Sequence, residues 1–423
     1  MKVVKGFELG RSVLSRRGEL AEGLEEQEAS VKQIIADVGK RGDAALFDLT
    51  RKFDGVKLNA LEVQKGEIVA ASKEVSGEVI SALKFAAERI RSYHASQKNS
   101  LFHESNKGGV GWIMRPLSRV GVYVPGGTVP LPSSLLMTAI PARIAGVGEI
   151  IVTTPPRKEG GVSPLILAAA EIAGVDRVLS IGGAQAIAAM AFGTHSVPAV
   201  DKVCGPGNIY VMLAKKLLYG VVGIDGLQGP SEVMIIVDEA TSAELCAADF
   251  LAQAEHSSGC PVLVATSMDQ ADKIVQEINR QLKELPHPET AAKSIENNGI
   301  VSVVEKAEEA IELANLYAPE HLLLLVEKAH RYLDGIRNAG CIVTGKKATI
   351  ALGDYDAGPS HVLPTGGTAR FASPLNVLDF VKLTSVINAD DNSIKRLGPA
   401  AQTLAAAEGL DAHARAVERR LPG

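Results

Sequence analysis

Four polar clusters in this sequence carry residue types that could hold a metal ion or move a proton: Gln253-Ala254-Glu255-His256, Glu320-His321, Asp354 with His361, and Glu408 with His413. On a helix, residues three apart share a face, so Gln253 and His256 point the same way while Glu255 turns aside. Amide, imidazole and carboxylate together offer the nitrogen and oxygen ligands that suit a zinc ion, and the set requires no thiolate. Such donors favour a working metal site over a structural one. Glu320 beside His321 supplies two groups for proton transfer, and an imidazole that titrates near neutrality suits a general base. Each cluster also has a plainer reading: polar side chains at a helix end, a solvated loop, an aspartate bonding its own backbone, a wet helix surface. Glu408 and His413, five apart, do not share an ideal helical face.

The elements that must position these groups are readable around them. The helix bearing Gln253 starts at Thr241-Ser242-Ala243-Glu244, a capping-box pattern, and stops at Ser257-Ser258-Gly259. Glu320-His321 leads straight into Leu322-Leu323-Leu324-Leu325, which puts an acid and an imidazole at the lip of a buried strand. Loops at strand edges are where α/β folds place active sites. The glycine- and proline-rich stretch from Gly353 to His361 gives the backbone freedom to aim Asp354 and His361 inward.

From Arg119 onward, short β-branched runs alternate with longer Ala/Leu-rich segments, the rhythm of crossover helices around parallel strands. Runs at 120–124, 150–154, 177–181 and 202–204 form a first series, and 233–237, 261–265, 301–304, 322–326 and 341–343 a second. The reading is α/β: two Rossmann-like open domains with mostly parallel sheets, plus a helical C-terminal tail. We delimit an N-terminal arm at 1–19, an α/β domain at 117–229, a discontinuous α/β domain at 20–116 and 230–369, and the tail at 370–423. Residues 20–112 read as helical. The tail is too short and thinly apolar to fold alone, so it is expected to pack on another domain or a second subunit.

Glycine turns follow several of the first strands, at Pro125-Gly126-Gly127, Gly182-Gly183-Ala184-Gln185 and Gly205-Pro206-Gly207-Asn208. Helix starts with small residues accept phosphates readily, so a nucleotide could lie across this layer. None is a full Gly-x-Gly-x-x-Gly, and Asp225 downstream is an ill-fitting ribose acid. Cys204, at a strand end beside one of these turns, has no neighbouring base and reads as a small buried residue rather than a nucleophile.

Composition removes other classes. The 423 residues carry 44 basic and 49 acidic side chains, a net charge of −5, without long blocks of one sign. That balance shows no nucleic-acid stripe and no polybasic membrane patch. Four cysteines without Cys-x-x-Cys spacing read as reduced thiols, and no apolar stretch runs to spanning length, so the expected location is the cytoplasm.

With these residues set out, the chain closely resembles the histidinol dehydrogenase family nearly end to end. The likeness rests on Val122-Tyr123-Val124-Pro125-Gly126-Gly127, Gly183-Ala184-Gln185-Ala186-Ile187-Ala188, Gly205 to Val211 and Gly229-Pro230-Ser231-Glu232-Val233. It continues through Gln253-Ala254-Glu255-His256, Tyr317-Ala318-Pro319-Glu320-His321, the loop from Gly353 to Pro364, and Glu408-Gly409-Leu410 with His413. The resemblance implies that Gln253, His256, Asp354 and His413 bind one zinc ion per subunit; spacing would favour His361 over Gln253. It puts NAD+ on Tyr123, Gln185 and Asn208, in the 117–229 domain. It puts the substrate, L-histidinol, on Ser231, Gln253, His256, His321, Asp354, Glu408 and His413, with His361 a neighbour. It implies a homodimer in which the tail crosses to complete the partner's site.

The implied reaction oxidises L-histidinol to L-histidine through the aldehyde, with two NAD+ and one water. His321 would take the hydroxyl proton and assist the second hydride transfer, and Glu320 would activate the water. Two rival readings from other classes are a zinc hydrolase, in which Glu320 and a metal serve water attack without nicotinamide, and a non-catalytic, zinc-stabilised binding protein that unfolds when the metal is removed.

Overall fold

The computed structural model describes residues 1–16, 23–107, 109–126, 129–256, 258–345 and 347–421. Gly127 and Ser257 of the motifs above, and residues 17–19 of the arm, lie outside them. Two open parallel sheets organise the chain. The five-stranded sheet runs in the order Arg177–Ser180, Glu149–Thr154, Arg119–Tyr123, Lys202–Cys204, Gly223–Ile224. The six-stranded sheet runs Lys2–Lys5, Ile300–Val303, Cys260–Ala265, Glu232–Val237, His321–Leu325, Cys341–Thr344. Both sheets are covered on both faces, which is why their strands read as continuous apolar runs rather than as alternation.

In each sheet the chain winds outward in one direction, returns to the middle and winds the other way. The reversal lies between Arg119–Tyr123 and Lys202–Cys204 in the first, and between Glu232–Val237 and His321–Leu325 in the second. Residues 225–231 lead from the carboxyl edge of the first sheet directly to the amino edge of the second. The seam is bonded across: the Gly229 amide donates to the Thr365 hydroxyl at 2.6 Å, and the Gly366 amide to the Glu232 carboxylate at 2.9 Å.

The structure corrects three readings. The helices between 25 and 101 pack on the five-stranded sheet, with Val31, Ile34 and Val38 in the core on one face and Leu83, Ala87 and Ile90 in that on the other. They side with residues 117–229, not with 230–369, because amphipathic stripes find the nearest open sheet face. The N-terminal arm contains an element of the second sheet, since Lys2–Lys5 pairs in parallel with Ile300–Val303. The tail is not wholly helical: Val381–Ile387 pairs antiparallel with Val110–Pro116, which in turn pairs with Ser105–Lys107, in a third small sheet.

Beyond that strand, helices Asp391–Ala407 and Asp411–Glu418 pack chiefly on each other. Gly398 is the only residue of the two that is buried, and Leu397 and Leu404 stay 49% and 64% exposed. Helices this short are marginal in water without a buried apolar face. Among the described residues, no helix is long and apolar enough to cross a membrane.

Candidate functional site

At the carboxyl edge of the five-stranded sheet, Tyr123, Gln185 and Asn208 line one cleft of about 360 Å³. This is the crevice beside the strand-order reversal, where open α/β sheets bind ligands. Tyr123 closes its strand almost fully buried, and its hydroxyl accepts the Gly183 amide at 3.1 Å. Burial pushes the phenol up to about 12, so it stays protonated. Gln185 is 2% exposed on the helix Gly183–Phe192. Asn208 caps the helix Ile209–Leu218, its Oδ1 accepting the Tyr210 and Val211 amides.

The turn before Asn208 is fixed from below. Gly205 has φ +110°, and a Cβ there would lie 2.2 Å from the Tyr123 carbonyl oxygen, so only glycine lets the turn sit on the neighbouring strand end. Asp225 accepts the Gly205 amide at 2.7 Å and pairs with buried Lys215, which also donates to the Gly205 carbonyl. Asp225 is therefore not a ribose acid: its carboxylate is buried and committed to the turn. Cys204 is fully buried and its thiol is pushed well up by desolvation, as a packing residue should be.

At the amino edge of the six-stranded sheet stand Glu320 and His321, each 5% exposed. Glu320 Oε2 accepts the Glu232 amide at 2.7 Å. Burial raises the Glu320 carboxyl to about 8, against the opposing charge of His321. His321 Nε2 lies 3.2 Å from Asp354 Oδ1, and Nδ1 lies 3.3 Å from the Glu232 carbonyl oxygen. Burial works against the imidazolium, but the Asp354 hydrogen bond and the charges of Glu320 and Asp354 outweigh it, lifting His321 to about 9. Asp354 feels the converse: burial pushes it up, and His321, with His361 and His256 adding charge, brings it below the ordinary carboxylate value.

Glu232 is the hub that sequence reasoning missed. Its backbone serves both members of the pair, and its carboxylate is held by buried Arg16, with Nη2 to Oε2 at 2.7 Å. Arg16 also donates to the Tyr317 carbonyl oxygen at 3.0 Å and stacks on the Tyr317 ring. The signal was present as a charged residue opening a wholly buried strand, since buried charges need partners.

The remaining expected residues divide. Gln253 ends the helix Ala243–Ala254 and is 1% exposed, with Nε2 buried and lacking a partner among the described residues. Turned over, that amide presents Oε1 at the orphan end, which is the atom an oxygen-seeking cation takes. His256 follows on the exposed turn, bent back by Gly259, where a Cβ would meet the Gln253 carbonyl oxygen at 2.2 Å. Ser231 immediately precedes the strand Glu232–Val237, its carbonyl accepting the Cys260 amide at 3.0 Å. His361 lies behind Asp354: Nδ1 donates to the Asp354 carbonyl at 2.8 Å, Nε2 lies 3.1 Å from the Ser134 hydroxyl, and burial pushes the imidazole below its ordinary value. Glu408, at the turn that ends the helix Asp391–Ala407, and His413, on the helix Asp411–Glu418, are exposed. Among the described residues, no three His, Cys, Asp or Glu side chains converge as a metal cluster within this one chain.

The sequence pattern of the family described as histidinol dehydrogenase matches residues 18–421. The chain belongs to the histidinol dehydrogenase family. A histidinol dehydrogenase of Dehalococcoides mccartyi strain CBDB1 is 49% identical over 435 aligned residues, covering 100% of both chains. That of Deinococcus radiodurans is 50% identical over 397 residues, 93% of this chain and 91% of the relative. The crystal structure of histidinol dehydrogenase from Elizabethkingia anophelis superposes with a TM-score of 0.93 at 36% identity, covering 99% of this chain and 98% of that one. Membership of the histidinol dehydrogenase family makes the chain an oxidoreductase of histidine biosynthesis, and the hydrolase and binding-protein readings fall away.

Proposed function

We propose that the chain carries out the four-electron oxidation of L-histidinol to L-histidine through L-histidinal, with two NAD+ and one water, as the final step of histidine biosynthesis in the cytoplasm. The observation that carries this reading is the buried Glu320–His321 pair, poised with Asp354 at the edge that the 225–231 link joins to the Tyr123–Gln185–Asn208 cleft. NAD+ in that cleft supplies the hydride acceptor. His321 in its neutral form takes the proton from the substrate hydroxyl, and the Asp354 hydrogen bond that raises its pKa to about 9 makes that neutral ring the stronger base. Glu320, whose burial brings its pKa close to neutrality, deprotonates the water that attacks the aldehyde, and His321 then serves the second oxidation.

The residues present fit a zinc ion: an orphaned buried amide at Gln253, the imidazole of His256 three residues on, and the carboxylate of Asp354. With His413 from a second copy as fourth ligand, one zinc per subunit would anchor the substrate's imidazole and amine. Ser231, His321, His361 and Glu408, with the ligand residues, would border the substrate. The unsupported tail helices argue for the shared arrangement, because their exposed leucines need a surface that their own chain does not provide. Those helices would therefore make the contact of a homodimer.

Half-reactions separate the roles. Glu320→Gln leaves alcohol oxidation within a few-fold and slows aldehyde oxidation by about 10²–10⁴, whereas His321→Asn slows both by about that factor. Equal losses of both halves in both variants would overturn the division of labour.

A further inference from the structure

The dinucleotide cleft contains an acid that no sequence motif marks. Asp54 follows the helix Asp43–Phe53 and lines the cleft with Ser30, Tyr123, Gln185, Asn208 and Tyr210. Its Oδ2 is buried without a hydrogen-bond partner among the described residues. Its charge is felt at the Tyr123 hydroxyl, and desolvation pushes its own pKa up to about 6, leaving it largely ionised at neutral pH. A carboxylate held in this state lacks donors, and none of the described residues supplies one to that oxygen. The rings of Phe53 and Tyr210, 50% and 40% exposed, border the same cleft and offer apolar faces to a base.

A group that suits this carboxylate carries hydroxyl donors and no negative charge. Phosphates belong instead at the start of the helix Gly183–Phe192, whose N-cap Gly182 brings no side chain to cap its first amides. Resting on the reading that NAD+ occupies this cleft, we propose that Asp54 accepts the 2′- and 3′-hydroxyls of the adenosine ribose and is the residue that rejects a 2′-phosphate. It thereby takes the part that Asp225 cannot play. The chain reaches it from a helical segment ahead of the first strand of this sheet rather than from within a strand–turn–helix motif.

Calorimetric titration of the zinc-loaded protein, without substrate, tests this with NAD+, NADP+, ADP-ribose and 2′-deoxy-ADP-ribose. Asp54→Asn should weaken ADP-ribose about 10- to 100-fold, the worth of hydrogen bonds to a charged group, and should narrow the NAD+ over NADP+ preference by a similar factor. The 2′-deoxy ligand should lose much less on the same substitution. Asp54→Ser, a smaller neutral replacement, should repeat the pattern if the asparagine variant folds poorly. Unchanged ADP-ribose affinity in a folded variant, or equal losses for the ribose and deoxyribose ligands, would overturn the role of Asp54 while leaving NAD+ in the cleft. Failure of the unsubstituted protein to bind NAD+ or ADP-ribose would overturn the cleft reading itself, and this inference with it.

Discussion

The two parallel sheets are wound alike yet use opposite edges. In the five-stranded sheet the chemistry-bearing residues follow the carboxyl ends of the strands, at the reversal of strand order, as the topology rule for open sheets expects. In the six-stranded sheet hydrogen bonds bridge the segments on either side of the corresponding crevice. There the Thr241 hydroxyl donates to the Leu325 carbonyl, and Asp238 accepts the Glu327 amide at 2.6 Å. Glu232 and His321 instead stand at the amino ends of their strands, with Glu320 one residue ahead. Residues 225–231 explain the difference: they deliver the second sheet amino edge first to the carboxyl edge of the first. Topology finds a crevice, and local hydrogen bonding decides whether it stays open.

The edges differ also in completeness. The cleft gathers Tyr123, Gln185 and Asn208 at one edge, whereas Glu408 and His413 stand exposed, at the end of one tail helix and on the next, with almost nothing of either helix buried. The largest expected effect tests this difference. His413→Asn and His256→Asn should each lower zinc content and cut turnover by at least about 100-fold, since losing even an outer partner of a metal ligand costs about 10- to 100-fold in affinity or activity. Dissociated and reassociated together, the two variants should regain activity, because a mixed dimer has one site free of both lesions. No recovery, with exchange verified by mass, would place the whole site within one chain.

A smaller effect probes how the amino edge is held. Arg16→Met leaves Glu232 buried without its cation and should lower stability by about 3–5 kcal/mol in urea unfolding. The double variant Arg16→Met/Glu232→Met should recover much of that loss, because an apolar replacement of a buried pair is often neutral. An Arg16→Met protein as stable as the parent would show that Glu232 is not the hub described. The cleft, whose turn is clamped by Lys215 and Asp225, should retain NAD+ affinity in both variants.

The smallest effect concerns pH and the metal-free protein. The Glu320 carboxyl is raised in the folded state, so its contribution to stability is fully present below its unfolded value and is lost as pH rises through about 8. Glu320→Gln removes that dependence. The unfolding free energy of the variant should therefore gain on the parent between about pH 5 and pH 8 and hold level outside that window. A constant difference across the range would mean that Glu320 is not desolvated as the geometry indicates.

Much of this was legible in the sequence for physical reasons. Strands buried on both faces must be apolar throughout, so both parallel sheets could be read from runs such as Val233 to Val237. The strand Val381–Ile387 escaped notice because it is an edge strand with Leu383 and Ile387 64% and 77% exposed, leaving no pattern of burial to follow. The helices of 25–101 were recognised, but an apolar stripe does not state which sheet it will cover. Asp354 and His321 each stood out by residue type. Their hydrogen bond, the Arg16–Glu232 clamp and the entry of Asp54 into the cleft depend on chain segments brought together only by folding. The family resemblance, rather than spacing, singled out Gln253, and the buried orphan amide is the local observation that supports that choice.

The most direct measurement is NADH formed per L-histidinol consumed by the zinc-loaded protein, followed with and without a chelator. Two NADH per histidinol, with histidine as product and turnover lost on chelation while the fold persists, is the predicted result. One NADH with the aldehyde accumulating, or histidinol consumed without any NADH, would contradict the account.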